Sequence, residues 1–464
     1  MNVLLVQAAA RFPRAEKAYP LGILYLASEI VRRRAADRVS IHDMQLDTGN
    51  VERIVAAVER ERPDVLGVSA MTFDSAVLHR LAAEAKRRVP SVRVVAGGSH
   101  ATCYPDDVLA DPNVDFLVHG EGEAASCDLL DALRTGGDAR TIPNVGYREN
   151  GRARINPDRP FVEDLDTLPF PAFDRIDLEP YFAMPRIGVL YAHRRYATLI
   201  TSRGCPFRCA YCHRVMGKRH RAHGVDYVLR QMEWLMDRRG VREFVIVDDL
   251  FNHPEERAQA IAQGILDRKW KVFLSFPVGL RGDVIGPETL RLLKAAGTYR
   301  CMFAFETGSE RIQALIDKNL RIPRVLEAVA QAAELGILVN GVFMLGFPTE
   351  SFQEMKRTVA LAVGSRLHSV AFLRVIPFKN TELFDLAVKS GAAVPRDYGD
   401  FNLLHTRVNL TDVPEWKIRW LKRWAFVRFY ASRRRIRRIW RLLPNRRRMV
   451  PMLIGFLFRK ALLW

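Results

Sequence analysis

Thr201-Ser-Arg-Gly-Cys-Pro-Phe-Arg-Cys-Ala-Tyr-Cys-His213 sets three thiols, Cys205, Cys209 and Cys212, within eight residues, directly after an apolar stretch that reads as a strand. Thiolates are soft donors that select zinc, cuprous copper or iron–sulfur clusters over hard cations. A structural zinc site wants a closed set of four ligands, usually as two short pairs. Only one triplet is present here, so zinc would have to draw on His213, His220 or His223. Three cysteines on a 4Fe-4S cluster instead leave one iron without a protein ligand, open to a small molecule.

Around this loop the chain alternates short apolar runs with helical patterns. Ala197 to Ser202, Glu243 to Val247, Val272 to Phe276, Met302 to Phe305, Val339 to Leu345 and Val370 to Ile376 read as six strands. Six βα units predict a partial barrel, whose chemistry belongs at the C-terminal ends of the strands. Polar residues and turn formers fall there. The cysteine loop follows the first strand, Asp248 and Asp249 the second, and Arg281 comes shortly after the third. Glu306-Thr-Gly-Ser309, Gly346-Phe-Pro-Thr349 and Pro377-Phe-Lys-Asn-Thr381 follow the remaining three.

Residues 1–138 repeat the alternation. Val3 to Gln7, Val39 to Asp43, Val65 to Ser69, Val92 to Ala96 and Phe116 to Val118 read as strands, with helices between them. This predicts a doubly wound parallel sheet, a Rossmann-like fold that binds ligands at the carboxyl ends of its strands. Ser69-Ala-Met-Thr72, Gly97-Gly-Ser-His-Ala-Thr102 and Gly120-Glu-Gly-Glu123 occupy those ends. Glycine there lets backbone approach a bulky ligand, although Gly-Gly after a strand is often only a turn. Residues 139–195, rich in Pro and polar residues, read as a linker, and 196–395 as the barrel.

The C-x3-C-x2-C spacing with Tyr211 before the last cysteine resembles the signature of the radical S-adenosylmethionine (SAM) superfamily. Together with Tyr19-Pro-Leu-Gly-Ile-Leu-Tyr-Leu-Ala27, Gly97-Gly-Ser-His100 and Gly120-Glu-Gly-Glu123, the chain resembles the class B members, which carry a cobalamin-binding domain ahead of the barrel. The resemblance implies three cofactors: a 4Fe-4S cluster on Cys205, Cys209 and Cys212, SAM, and cobalamin. It implies SAM contacts from Tyr211, Asp248, Asp249, Arg281 and Glu306, and cobalamin contacts from Ser69, Met71, Gly97, Gly98, Gly120 and Glu121. A small-molecule substrate and an external electron donor of flavodoxin or ferredoxin type are implied as well.

Each of these residues also has an ordinary reading. Asp248 and Asp249 could cap the following helix, Arg281 could be a surface cation, and Tyr211 could be core. Two departures from the family pattern stand out. The Asp-x-His-x-x-Gly motif that supplies cobalt with a lower ligand is absent from the loop after the first strand. Lys379-Asn380 stands where Pro-Gly is usual, which puts that turn in question.

Composition narrows the remaining choices. At 464 residues two or three domains are expected. Cys103, Cys127 and Cys301 are isolated, so there is no disulfide framework, and a reducing cytoplasm is expected. The start Met1-Asn-Val-Leu-Leu-Val reads as a strand rather than a secretory leader. The formal charge of +19 comes almost wholly from 416–464, which hold sixteen Lys and Arg, five of the seven Trp, and no Asp or Glu. Residues 396–464 are expected to form a helical basic tail. It could lie on an anionic lipid surface, pack on the barrel, or, least in keeping with its aromatic pattern, bind nucleic acid. Met449 to Phe458 is apolar but too short to span a bilayer.

The expectation is therefore a cobalamin-dependent radical SAM enzyme that methylates an unactivated carbon of a small molecule, a hydrophobic one if the tail lies on lipid. Radical cyclisation or rearrangement is the alternative. An RNA methylthiotransferase would need three further cluster cysteines in the first domain, where only Cys103 and Cys127 occur. A cobalamin- or zinc-binding module without catalysis is the non-enzymatic alternative.

Overall fold

Period-2 apolar strands separated by amphipathic helices give two α/β units in the structure, a computed structural model that describes residues 1–10, 18–47, 49–184, 190–395, 398, 408–444 and 450. Met1–Met184 make up the bulk of one unit and Lys218–Arg396 the bulk of the other.

The first unit holds β1 (Asn2–Gln7), β2 (Arg38–Asp43), β3 (Val65–Ser69), β4 (Arg93–Gly97), β5 (Phe116–Val118), β6 (Val145–Glu149) and β7 (Arg152–Ile155) in one sheet, in the order β2-β1-β3-β4-β5-β6-β7. Strands β1 to β5 are mutually parallel. Both faces are apolar, as a helix-covered parallel sheet requires. Leu4, Val6, Leu66 and Val68 lie in one buried cluster, and Val3, Leu5, Val65 and Val95 in the other. The strand order reverses between β1 and β3, so a ligand crevice opens at their C-terminal ends.

The stretch expected to be a linker departs from that reading. Residues 145–155 form an antiparallel hairpin that extends the sheet beyond β5. Its signal is weak in sequence because the strands are short and Gly146 sits against Leu117 and Ile155, where a side chain would not fit.

In the second unit β8 (Tyr196–Leu199), β9 (Ser202–Arg203), β10 (Arg221–Ala222), β11 (Glu243–Ile246), β12 (Phe273–Leu280), β13 (Thr298–Glu306), β14 (Leu338–Leu345) and β15 (Ser369–Arg374) follow in order. Six of them form a parallel sheet, β15-β14-β13-β12-β11-β8, each next to its neighbour in sequence. This is the order of a (βα)6 partial barrel. The first expected strand, Ala197 to Ser202, is divided: Ser202–Arg203 leave the sheet to pair antiparallel with Arg221–Ala222 across the cysteine loop.

Alternation along β13, β14 and β15 separates two faces. Phe303, Phe305, Phe343 and Phe372 are fully buried, and Phe343 stacks on both Phe305 and Phe372. The intervening Met302, Ala304, Val342, Met344, Ala371 and Leu373 are only partly buried. The face away from the aromatic ladder is thus apolar and open.

Two helices, Glu415–Tyr430 and Arg433–Leu442, follow the sheet. Ile418, Leu421, Ala425 and Phe429 line the buried side of the first. Arg374, at the end of β15, donates to Glu415 at 3.0 Å and to the Val408 carbonyl at 3.0 Å. Met449 to Phe458 lies outside the described residues, apart from Val450. Among the described residues no helix is long and apolar enough to cross a membrane.

Candidate active site

The cysteine loop is pinned at its base by Asp248, which follows β11. One carboxylate oxygen accepts from the Thr201 backbone at 2.6 Å. The other accepts from the Thr201 hydroxyl at 2.6 Å and the Ser202 hydroxyl at 2.7 Å. Burial pushes this carboxyl upward, and these bonds pull against it. Both oxygens of Asp248, a residue expected from the resemblance to contact SAM, accept hydrogen bonds from the base of the loop. Asp248 holds the backbone from which the loop departs. Asp249, the next residue, is exposed.

Cys205 is half-buried, Cys209 buried and Cys212 exposed, and all three are free thiols. The loop closes through a Cys212 N–H bond to the Cys209 carbonyl at 3.0 Å and is tied to the barrel by Ala210 N–H on the Ile316 carbonyl at 2.8 Å. Burial and then the neighbouring thiol of Cys209 raise the Cys212 thiol, to about 12; burial also raises Cys205. The exposed surface of Cys212 and a thiol raised by burial describe a rim position crowded by protein but reached by solvent.

Among the described residues no three His, Cys, Asp or Glu side chains converge as the ligands of a single ion do. A cubane takes one iron per thiolate, so its cysteines stand apart. The donor set fits the cluster, and raised thiols mean that loading it releases protons.

Beside the loop, Glu306 ends β13 with φ of 64°. A non-glycine residue there costs roughly 1–2 kcal/mol. The strained backbone turns its carboxylate to Tyr211, whose hydroxyl donates to Oε1 at 3.0 Å. Lys318 Nζ lies 3.1 Å from the same oxygen and 3.1 Å from the Tyr211 hydroxyl. Burial lowers the Lys318 ammonium, but Glu306 and Cys209 outweigh that and hold it above its ordinary value. Lys318 was not foreseen. It sits in an irregular segment 12 residues beyond Glu306 and 107 beyond Tyr211, and no local pattern announces it.

Arg281 is partly engaged. Nε donates to Asp283 at 2.9 Å and Nη2 to the Lys318 carbonyl at 3.2 Å, while the guanidinium lies 3.4 Å over the Phe207 ring in the cysteine loop. The turn after β15 keeps the shape a glycine would give: Asn380 has φ of 63°. Asn is among the residues that tolerate this region best.

In the first unit the three loops at the sheet's C-terminal edge are stitched together. Ala70 N–H donates to the Gly97 carbonyl at 3.1 Å and His100 N–H to the Ala70 carbonyl at 3.0 Å. The Thr102 hydroxyl donates to Gly98 and accepts from Gly120 N–H. Gly98 has φ of +86°, and a Cβ there would lie 2.8 Å from both the Ala70 carbonyl and the Ser69 hydroxyl. Residues Gly98–Cys103, read as loop, form a short helix. Met71 is 48 % exposed, the most exposed large apolar side chain among the described residues of this unit. Glu121 turns inward, its carboxylate accepting from Val162 N–H at 2.7 Å. The result is a compact glycine-lined shelf with an apolar side chain on it, which fits a broad ring ligand better than a phosphate. Gly97, the extended last residue of β4, and Gly120, with φ of 66°, lie at the same edge.

The chain joins in one polypeptide the two domains of a cobalamin-dependent radical SAM enzyme. Residues 11–130 match the B12 binding domain and residues 199–362 the radical SAM superfamily. Cobalamin, a 4Fe-4S cluster and SAM are its cofactors.

More particularly, the chain is 29 % identical to an uncharacterized methyltransferase of Pyrococcus horikoshii, over 93 % of this chain and 92 % of that protein. It is 24 % identical to the anaerobic magnesium-protoporphyrin IX monomethyl ester cyclase of a Synechocystis species, over 80 % of this chain and 75 % of that one. Its fold resembles that of the radical SAM methyltransferase TsrM of Kitasatospora setae, solved with cobalamin and a [4Fe-4S] cluster. The TM-score is 0.69 at 18 % identity, covering 85 % of this chain and 79 % of that one.

Proposed function

We propose that the chain transfers a methyl group to an unactivated carbon of an apolar small molecule. The observation that carries this reading is the union, in one chain, of a corrinoid shelf with a three-cysteine loop on a barrel whose open face is lined by Met302, Ala304, Val342, Met344, Ala371 and Leu373. When bound, the cofactors supply reductive cleavage of SAM to a 5′-deoxyadenosyl radical and a methyl group carried on cobalamin.

The protein's own residues bind and orient. Cys205, Cys209 and Cys212 would hold the cluster, with Asp248 fixing the strand end beneath them. Glu306 and Arg281 carry the charges suited to the ammonium and carboxylate of SAM, and Tyr211 and Phe207 offer flat surfaces near them. Lys318 pairs with Glu306, so a bound ammonium would share this carboxylate with a second cation. Asp249 is available to the solvent side of the same rim. Ser69, Met71, Gly97, Gly98, Gly120 and Glu121 would form the corrinoid shelf, Glu121 through its backbone. Its lower face would lack a histidine from the loop after β1. An apolar lining excludes water, which protects reactive intermediates from quenching.

An electron donor of flavodoxin or ferredoxin type belongs to this reading, since SAM cleavage consumes one electron. So does contact with a lipid surface, where an apolar substrate would partition. Cyclisation without methyl transfer is the second reading, favoured by the likeness to the cyclase over most of the chain. Turnover with SAM carrying a deuterated methyl separates them. Label in the product supports methyl transfer, and a cyclised product without label overturns it.

A further inference from the structure

We infer that the helix Glu415–Tyr430 is a docking surface for an anionic lipid bilayer, already anchored to the barrel by its opposite side. Helical spacing divides its residues into two faces. Ile418, Leu421, Lys422, Ala425 and Phe429 are buried. Opposite them Trp416, Trp420, Trp424 and Val427 are exposed by 62, 53, 42 and 66 %. These four run along one line for about 17 Å of helix. Trp420 and Trp424 stack on each other at 6.2 Å, which leaves their outer edges toward solvent.

Cations border the line on both sides: Lys417 and Arg428 on one, Arg419 and Arg423 on the other. The second helix, Arg433–Leu442, continues the pattern with exposed Ile436 and Trp440 beside Arg433, Arg434, Arg437, Arg438 and Arg441. One arginine is used differently. Arg435 is buried, lies 3.7 Å over the Phe429 ring, and donates to the carbonyls of Leu367, Phe429, Val363 and Ser365. It fastens the helix pair to the unit while its neighbours face outward. Packing and surface contact are therefore both present, on opposite sides.

Charge complementarity decides the occupant. An apolar stripe of Trp rimmed by Lys and Arg matches the headgroup boundary of a negatively charged leaflet, where indole rings settle and cations meet lipid phosphates. RNA would use the cations and could stack on Trp, but it has no use for the aliphatic Val427 and Ile436 in the same stripe. The inference gives a surface to the lipid contact named in the proposed function, and its flotation test is independent of the reaction, since the residues are remote in sequence from every proposed cofactor contact.

The test is vesicle flotation of the full holoprotein. With vesicles of phosphatidylcholine containing phosphatidylglycerol the protein should float, and with phosphatidylcholine alone it should float far less. Binding should weaken with salt and bring a blue shift of Trp fluorescence. Replacing Trp416, Trp420 and Trp424 together by Ser should weaken binding about tenfold or more. Arg419→Gln with Arg423→Gln should weaken it about thirtyfold, at about 1 kcal/mol per cation. Both variants should keep their cluster absorbance and 5′-deoxyadenosine formation, which separates loss of docking from loss of fold or reaction. Equal flotation on neutral vesicles, flotation untouched by these variants, complete displacement by RNA, or Trp-dependent dimerisation in place of lipid binding would each overturn the inference.

Discussion

Tyr211 and Glu306, one in the cysteine loop and one at the end of β13, meet through a 3.0 Å hydrogen bond from phenol to carboxylate. Lys318 closes the triangle, 3.1 Å from each. A single carboxylate thus ties the cysteine loop to the strand end proposed to face SAM.

Removing that carboxylate should expose its structural share. Glu306→Ala leaves Lys318 as an unpaired cation with only 12 % of its side chain exposed. Breaking a buried pair this way costs roughly 3 kcal/mol or more. Chemical denaturation of the apo-protein should report that loss. Adding Lys318→Met should recover much of the stability without restoring SAM binding.

Asp248→Ala should act through the loop rather than through SAM. It strands one backbone and two hydroxyl donors in a buried place, each worth about 1–3 kcal/mol if unsatisfied. Reconstituted iron per chain should fall sharply in this variant. A normal iron content with weakened SAM binding would restore Asp248 as a direct SAM ligand.

Gly98→Ala forces a side chain onto φ of +86° and against Ala70 and Ser69. Backbone strain of about 1–3 kcal/mol and a displaced shelf should follow. Corrinoid retention, read by visible absorbance after reconstitution and desalting, should drop while the cluster's absorbance stays.

Glu350 gives a pH dependence of defined sign. Its carboxylate accepts from Gly346 and Phe347 N–H, and burial raises it to about 7. A carboxyl raised in the folded state keeps its proton there while the unfolded chain ionises. Its contribution is therefore greatest below about 4.5 and is lost as pH rises to about 7. Glu350→Gln should flatten that part of the stability profile, read as melting temperature between pH 5 and pH 8, by about 3 kcal/mol at most.

The cysteine loop, the six strands and the glycine turns were legible because each rests on local pattern: thiol spacing, apolar alternation, Gly after a strand. What sequence did not yield depends on distant partners. Asp248 looks like any acid at a strand end until Thr201 and Ser202 are seen on its oxygens. Lys318 becomes notable only beside Tyr211 and Glu306. The hairpin 145–155 is too short to announce itself, and its pairing with β5 decides it. In the tail, composition showed cations and Trp, but only burial separates Arg435, which anchors, from Arg419 and Arg423, which border the exposed stripe.

Anaerobic reconstitution followed by reaction with SAM and a strong reductant tests the central claim most directly. The account predicts about four iron and one corrinoid per chain, with 5′-deoxyadenosine formed and abolished by Cys209→Ala. Stoichiometric zinc without iron, or a loaded cluster that yields no 5′-deoxyadenosine, would contradict it.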